Sequence, residues 1–99
     1  MRYATEPCPP EHAFHFANGT SARSLEELHS ALASAPGDVL HYHRAHFHHW
    51  VRDVLQEPAL AERIREEGER ARDGEHLRRT LTEVLERAMP RTASSFRRR

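Results

Sequence analysis

Proline and glycine cut this chain into short lengths, and no other feature constrains its fold as much. Pro36-Gly37, Glu57-Pro58, Asp73-Gly74 and Pro90 each bound a stretch whose apolar residues recur every three or four positions. That repeat places the apolar side chains on one face of an α-helix, and proline or glycine ends the run. No stretch between two breaks exceeds one ordinary helix. The chain must therefore bury its apolar stripes by packing several short helices together. In 99 residues this means one small domain with a single modest core.

The segments can be placed one by one. Ser24-Leu25-Glu26-Glu27 is a capping box, in which Ser24 accepts from the amide of residue 27 and Glu27 reaches back to Ser24. Leu25, Leu28 and Leu32 follow at helical spacing, which predicts a helix over 25–34. Asp38 is a good N-cap for the next segment. Alternation alone would make 39–43 a strand, but Leu40, His43, Phe47, Trp50, Val51, Val54 and Leu55 sustain a three/four spacing. The spacing predicts one helix over 39–56. Pro58 suits a first helical position, and Leu60, Ala61 and Ile64 give a face to a helix over 58–72 that Gly68 weakens. Leu77, Leu81, Val84 and Leu85 predict a last helix over 75–88.

Upstream, Phe14-His15-Phe16 followed by Asn18-Gly19 reads as a short β-hairpin over 14–23, with Phe14 and Phe16 on the core face. The expected architecture is mainly α: about four helices behind an N-terminal hairpin. Residues 13–89 form the folded domain. Residues 1–12, with Pro7, Pro9 and Pro10, read as a flexible arm, and 90–99, ending in Arg97-Arg98-Arg99, as a disordered basic tail.

Composition excludes some roles. Net charge is zero with the histidines neutral, so the chain as a whole is not a polyanion binder. Nine histidines would carry the net charge towards roughly +9 if all titrated near neutrality. Every basic residue is arginine, which favours paired contacts with glutamate and aspartate. Cys8 is the only cysteine, so an internal disulfide and a cysteine-rich zinc site are both excluded. No apolar run is long enough for a signal peptide or a membrane span, and a cytoplasmic location is the expectation.

Chemistry concentrates in residues 41–50, which hold five of the nine histidines. On a continuous helix, His43, His46 and His49 follow at steps of three and form a slanted stripe about 120° wide. This is the candidate metal-ligating set, with zinc or nickel as the ion. A further ligand would have to come from His12, His15, His29, His76, Asp53 or Glu57. No His-Glu-x-x-His sequence occurs, which excludes that zinc-protease pattern. His43 shares the apolar face with Phe47, whereas His41 and His48 turn towards solvent. Trp50 and Phe47 read as core anchors. Cys8 could be activated by a histidine but sits among prolines, and Ser24 reads as a cap rather than a nucleophile.

Three further pieces occur in order: Phe16-Ala17-Asn18-Gly19 before Ser24-Leu25-Glu26-Glu27-Leu28; Tyr42-His43 before Phe47 and Trp50-Val51-Arg52-Asp53-Val54-Leu55; and Leu60-Ala61 before Leu77-Arg78. In these the chain resembles a family of short archaeal and bacterial domains of unknown function. That family is marked by Ser-Leu-x-Glu-Leu, Tyr-His and Phe-x-x-Trp motifs. The resemblance spans about residues 14–88. It implies that Tyr42, His43, Phe47 and Trp50 belong to a shared pattern. His46 stands where many members carry an acidic residue. The family brings no activity with it.

The leading expectation is a small non-enzymatic binding domain, acting on another protein or on itself. The rival is a histidine-based metal-binding or pH-responsive module. A small enzyme ranks third. Nucleic-acid binding, resting on Phe96 and Arg97-Arg98-Arg99 with Arg78-Arg79, ranks last because the helices carry as many acids as bases.

Overall fold

Local signals open and close most of the helices. In the computed structural model, which describes residues 3–89, the Ser24 hydroxyl accepts from the Glu27 amide at 3.1 Å. That bond opens α1, Leu25–Ser34. The return arm of the capping box goes to Arg23 rather than Ser24: the Arg23 amide donates to Glu27 Oε1 at 2.7 Å. The remaining α-helices among the described residues are α2 (Gly37–Tyr42), α3 (Phe47–Asp53), α4 (Pro58–Arg70) and α5 (Gly74–Ala88), and a single 3-10 turn spans Pro10–His12. Strands β1 (Phe14–His15) and β2 (Ser21–Ala22) pair antiparallel, Phe14 opposite Ala22 and His15 opposite Ser21. The fold is mainly α behind an N-terminal two-stranded hairpin.

The hairpin turns as its residues require. Gly19 takes φ +95°, open to glycine at little cost, and Asn18 Oδ1 accepts from the Thr20 amide and hydroxyl. Phe14 and Phe16 are both buried. Asp73 caps α5, accepting from the His76 amide at 2.8 Å. Pro58 occupies the start of α4. Asp38, in contrast, is not a cap. α2 begins earlier, behind Pro36, and Asp38 lies within its first turn.

The single helix expected over 39–56 is the main correction. It divides into α2 and α3 around a turn at 43–46. Within that turn the Arg44 amide donates to the His41 carbonyl and the His46 amide to the His43 carbonyl, three residues back in each case. The cause is tertiary. The Arg44 carbonyl lies against Gly68 of α4, so close that a Cβ on Gly68 would stand 2.3 Å from it. Gly68 thus makes room for the turn, and α4 runs through it to Arg70. The buried face still follows the predicted spacing: Leu40, His43, Phe47, Trp50, Val51 and Leu55 are buried, and Val54 is half-buried against the core.

α5 packs against α1, α2 and α4, and α3 packs against α4. Leu77, Leu81 and Leu85 of α5 meet Leu25, Leu28 and Leu32 of α1 and Leu40 of α2 in one core. The described part of the N-terminal segment, residues 3–12, lies on this body. The Leu25 and Glu26 amides donate to the Tyr3 and Ala4 carbonyls at 2.8 Å, and the Cys8 amide donates to the Arg23 carbonyl at 2.6 Å. Trp50 Nε1 donates to the His12 carbonyl at 2.7 Å. The expectation for 90–99 falls outside the described residues.

Arginines line the surface in pairs. Arg65 bonds Glu62 and Glu69, Arg70 bonds Glu67 at 3.2 Å, and Arg78 bonds Glu75 at 2.9 Å. Exposed pairs of this kind contribute little each, roughly 0–1 kcal/mol.

Candidate functional site

The turn that breaks the long helix is also where the histidines acquire a geometry. His43 is buried, at 6% exposure, in a cage of rings. Phe14 and Phe16 stand edge-on to it at 5.3 and 5.7 Å, and Phe47 lies 6.0 Å away. Two polar contacts complete the site. The Ala17 amide, at the hairpin turn, donates to His43 Nε2 at 3.0 Å. His43 Nδ1 lies 3.0 Å from Nδ1 of the exposed His46.

These bonds assign the protons. A backbone N–H can only donate, so His43 Nε2 is the bare nitrogen and the ring proton is on Nδ1. His43 Nδ1–H then donates to His46 Nδ1, which must be bare in turn. A neutral His46 therefore carries its proton on Nε2. The arrangement holds His43 in one neutral tautomer. Burial lowers its pKa below the ordinary 6.5, and a charge on the nearby His46 ring would lower it further.

This proton arrangement bears on metal binding by His43, His46 and His49. A ligating imidazole binds through one nitrogen and donates its other N–H to an acceptor. The outer nitrogen of His43 faces a donor instead, so the residues present do not fit zinc or nickel on His43 Nδ1. His49 is not brought to the pair. It is exposed, its ring lies 4.1 Å from that of His48, and its Nδ1 accepts from Arg52 Nη2 at 3.1 Å. Among the described residues no group of three or more His, Cys, Asp or Glu side chains is placed to hold a metal ion.

His41 and His48 do not simply face water. Both are half-buried, and the Nδ1 atom of each is buried without a hydrogen-bond partner among the described residues. Burial lowers the pKa of His48, and the neighbouring His49, Arg52 and Arg65 lower it further against an opposing Glu62. His76 and His29 have structural work. His76 Nδ1 accepts from the Arg72 amide at the start of α5, and His29 meets Glu86 at 3.0 Å between α1 and α5.

Tyr42 is the one large apolar side chain left exposed among the described residues, at 64%. It closes α2, and its ring stands edge-on to His43 at 4.9 Å and to His46 at 5.6 Å. Trp50 and Phe47 are core anchors, as their spacing predicts.

The remaining candidate nucleophile is Cys8. It lines a cavity of about 260 Å³ together with Tyr3, His12, Asp53 and Gln56. Its side chain is fully buried, and burial raises the thiol pKa above its ordinary 9.0. That favours the inert thiol over the reactive thiolate at neutral pH. Asp53 is tied to Arg52 at 2.9 Å. No activated nucleophile is assembled there.

Two partners of the site were invisible to sequence reasoning. Ala17 acts through its backbone amide, and Gly68 acts by having no side chain. The Asn-Gly turn does place Ala17 at a hairpin tip, but nothing in the sequence aims that tip at His43.

No family model matches the chain. No curated protein matches it, and no solved structure does. The functional reading therefore rests on the geometry alone.

Proposed function

We propose that this chain is a small non-enzymatic interaction domain, and that its contact face is the end of the molecule built by Tyr42 and the following turn. The exposure of Tyr42 carries the reading. A tyrosine combines a large apolar area, a polar tip and few rotatable bonds, which makes it a frequent anchor in protein contacts. This one is set on a fixed turn beside His46, with Arg44 and Ala45 also exposed. The partner is another protein or a second copy of the chain. No helix among the described residues is long and apolar enough to cross a membrane.

The test is site-specific photocrosslinking in the native host. A benzophenone amino acid replaces Tyr42 in one variant and the exposed Arg63 of α4 in a control. A discrete adduct at position 42, of self or hetero mass, and none at 63 is the expected result. Equal labelling at the two positions, or none at 42, overturns the reading.

A further inference from the structure

We propose that the His43–His46 pair is a proton-operated latch, which holds the hairpin turn at Ala17 on the α2–α3 turn while His43 is neutral and frees it on acidification. The proposal goes beyond the interaction reading and does not depend on what Tyr42 touches.

Four ring nitrogens share the protons of the pair. The neutral pair has one N–H on each ring, and both bonds of the site are satisfied: Ala17 N–H to His43 Nε2, and His43 Nδ1–H to His46 Nδ1. A third proton leaves only one bare nitrogen among the four. If that nitrogen is His43 Nε2, two N–H groups face each other where the Nδ1 atoms now lie 3.0 Å apart. If it is either Nδ1, His43 Nε2–H faces the Ala17 N–H. One bond must break in every case.

The two rings are unequal in how they meet that demand. His46 is exposed and can swing into water with a proton on both nitrogens. His43 has no such exit. Phe14 of β1, Phe16 beyond it and Phe47 of α3 enclose it, and none of these carries charge. The titratable groups that face it are Tyr42 from α2 and His46 from the turn. Among the described residues no carboxylate acts on His43 to stabilise an imidazolium, and a charged His46 opposes one. A proton on His43 therefore converts the Ala17 contact from a bond into a donor–donor repulsion. The hairpin tip lifts, and the Phe14–Phe16–Phe47 cluster beneath it is uncovered.

The experiment uses the full chain, labelled with ¹⁵N. Long-range imidazole spectra at about pH 8 should show His43 protonated on Nδ1 and His46 on Nε2. An Nε2–H tautomer at His43 overturns the latch at once. Amide exchange is then followed from about pH 8 to about pH 5 and normalised to the intrinsic rate at each pH. The expected result is a fall of about tenfold in Ala17 protection, the loss of one hydrogen bond, on the midpoint of His43 protonation. Leu81 of α5 should keep its protection. Constant protection at Ala17, or an equal loss at Leu81, overturns the proposal. In His43→Gln, the amide oxygen can accept from Ala17 and does not titrate, so Ala17 protection should become independent of pH. The same acid loss in that variant also overturns the latch. If His43→Gln does not fold, the tautomers and the Ala17–Leu81 contrast in the unmodified chain still decide.

Discussion

α5 and the stretch from Gly37 to Asp53 carry the same kind of apolar repeat, yet only α5 is one unbroken helix. Asp73 caps its first turn, its close backbone approach (Gly74 against the Gly37 carbonyl) lies at its first residue, and along the rest of its length its neighbours supply apolar side chains. The other stretch meets backbone groups of two further elements at its midpoint. Gly68 of α4 admits the Arg44 carbonyl, and the hairpin offers the Ala17 amide to His43. The periodicity of a segment therefore reports which face is buried. Whether the segment continues as a rod depends on what its neighbours present halfway along.

The contrast can be broken from either side. The largest effect is expected at Leu81, which is 1% exposed at the centre of α5. Leu81→Ala should cost about 2–5 kcal/mol in urea unfolding, through lost burial and a residual cavity. A cost under about 1 kcal/mol would mean that α5 is not the spine of the core.

Gly68→Ala tests the other side. By helix propensity alone this change in α4 should stabilise the protein by up to about 1 kcal/mol. The new Cβ would stand 2.3 Å from the Arg44 carbonyl, however, and backbone cannot give way as a flexible side-chain end can. A net loss of about 1–3 kcal/mol is expected, with amide shifts concentrated at 43–46. A gain in stability would show that the turn does not depend on this close approach.

These two residues also mark how far the sequence could be read. Leu81 announces its role, because a leucine in a three/four repeat needs only its own helix to be placed. Gly68 announces a weakness in a helix, and its actual work lies in a contact with a residue 24 positions earlier (68 − 44). The candidate site divides in the same way. The inward turn of His43 beside Phe47 was legible from spacing. The separation of His49 from His43 and His46 was not, because the ligand stripe assumed a continuous rod. Once the rod breaks, each histidine takes the environment of its own short element.

A smaller effect sharpens the comparison at the helix starts. Asp73→Ala removes the bond from the His76 amide and should cost about 1 kcal/mol, measured by thermal or urea unfolding. His46 occupies the equivalent place before α3 and makes no capping bond through its side chain. His46→Ala removes the acceptor of His43 Nδ1–H instead, so its loss of amide protection should fall at the 43–46 turn and Ala17 and not at the first amides of α3. Fraying of the first turn of α3 in that variant, matching the fraying of α5 in Asp73→Ala, would mean that α3 is held by its own cap.

The last effect is graded with pH and confined to the broken stretch. His43 and His48 both have pKa values lowered from 6.5 in the fold, chiefly by burial. The unfolded chain therefore takes up protons at these two positions before the folded chain does. Their contribution to stability is complete above 6.5 and is lost as pH falls through 6.5 towards the folded values. The carboxylates of α5 act in a lower window. Asp73 and Glu75 are held below their ordinary 3.8 and 4.5, by the His76 amide and by Arg78 respectively, so their losses begin only near those values. Unfolding free energies at about pH 7.5 and about pH 5.5 should thus isolate the histidines. The unmodified chain should be less stable at the lower pH, Asp73→Ala should lose as much as the unmodified chain, and His43→Gln should lose less. If His43→Gln keeps the full pH dependence, the proton sensitivity of the broken stretch lies outside the ring cage, at His48 and not at the His43–His46 pair.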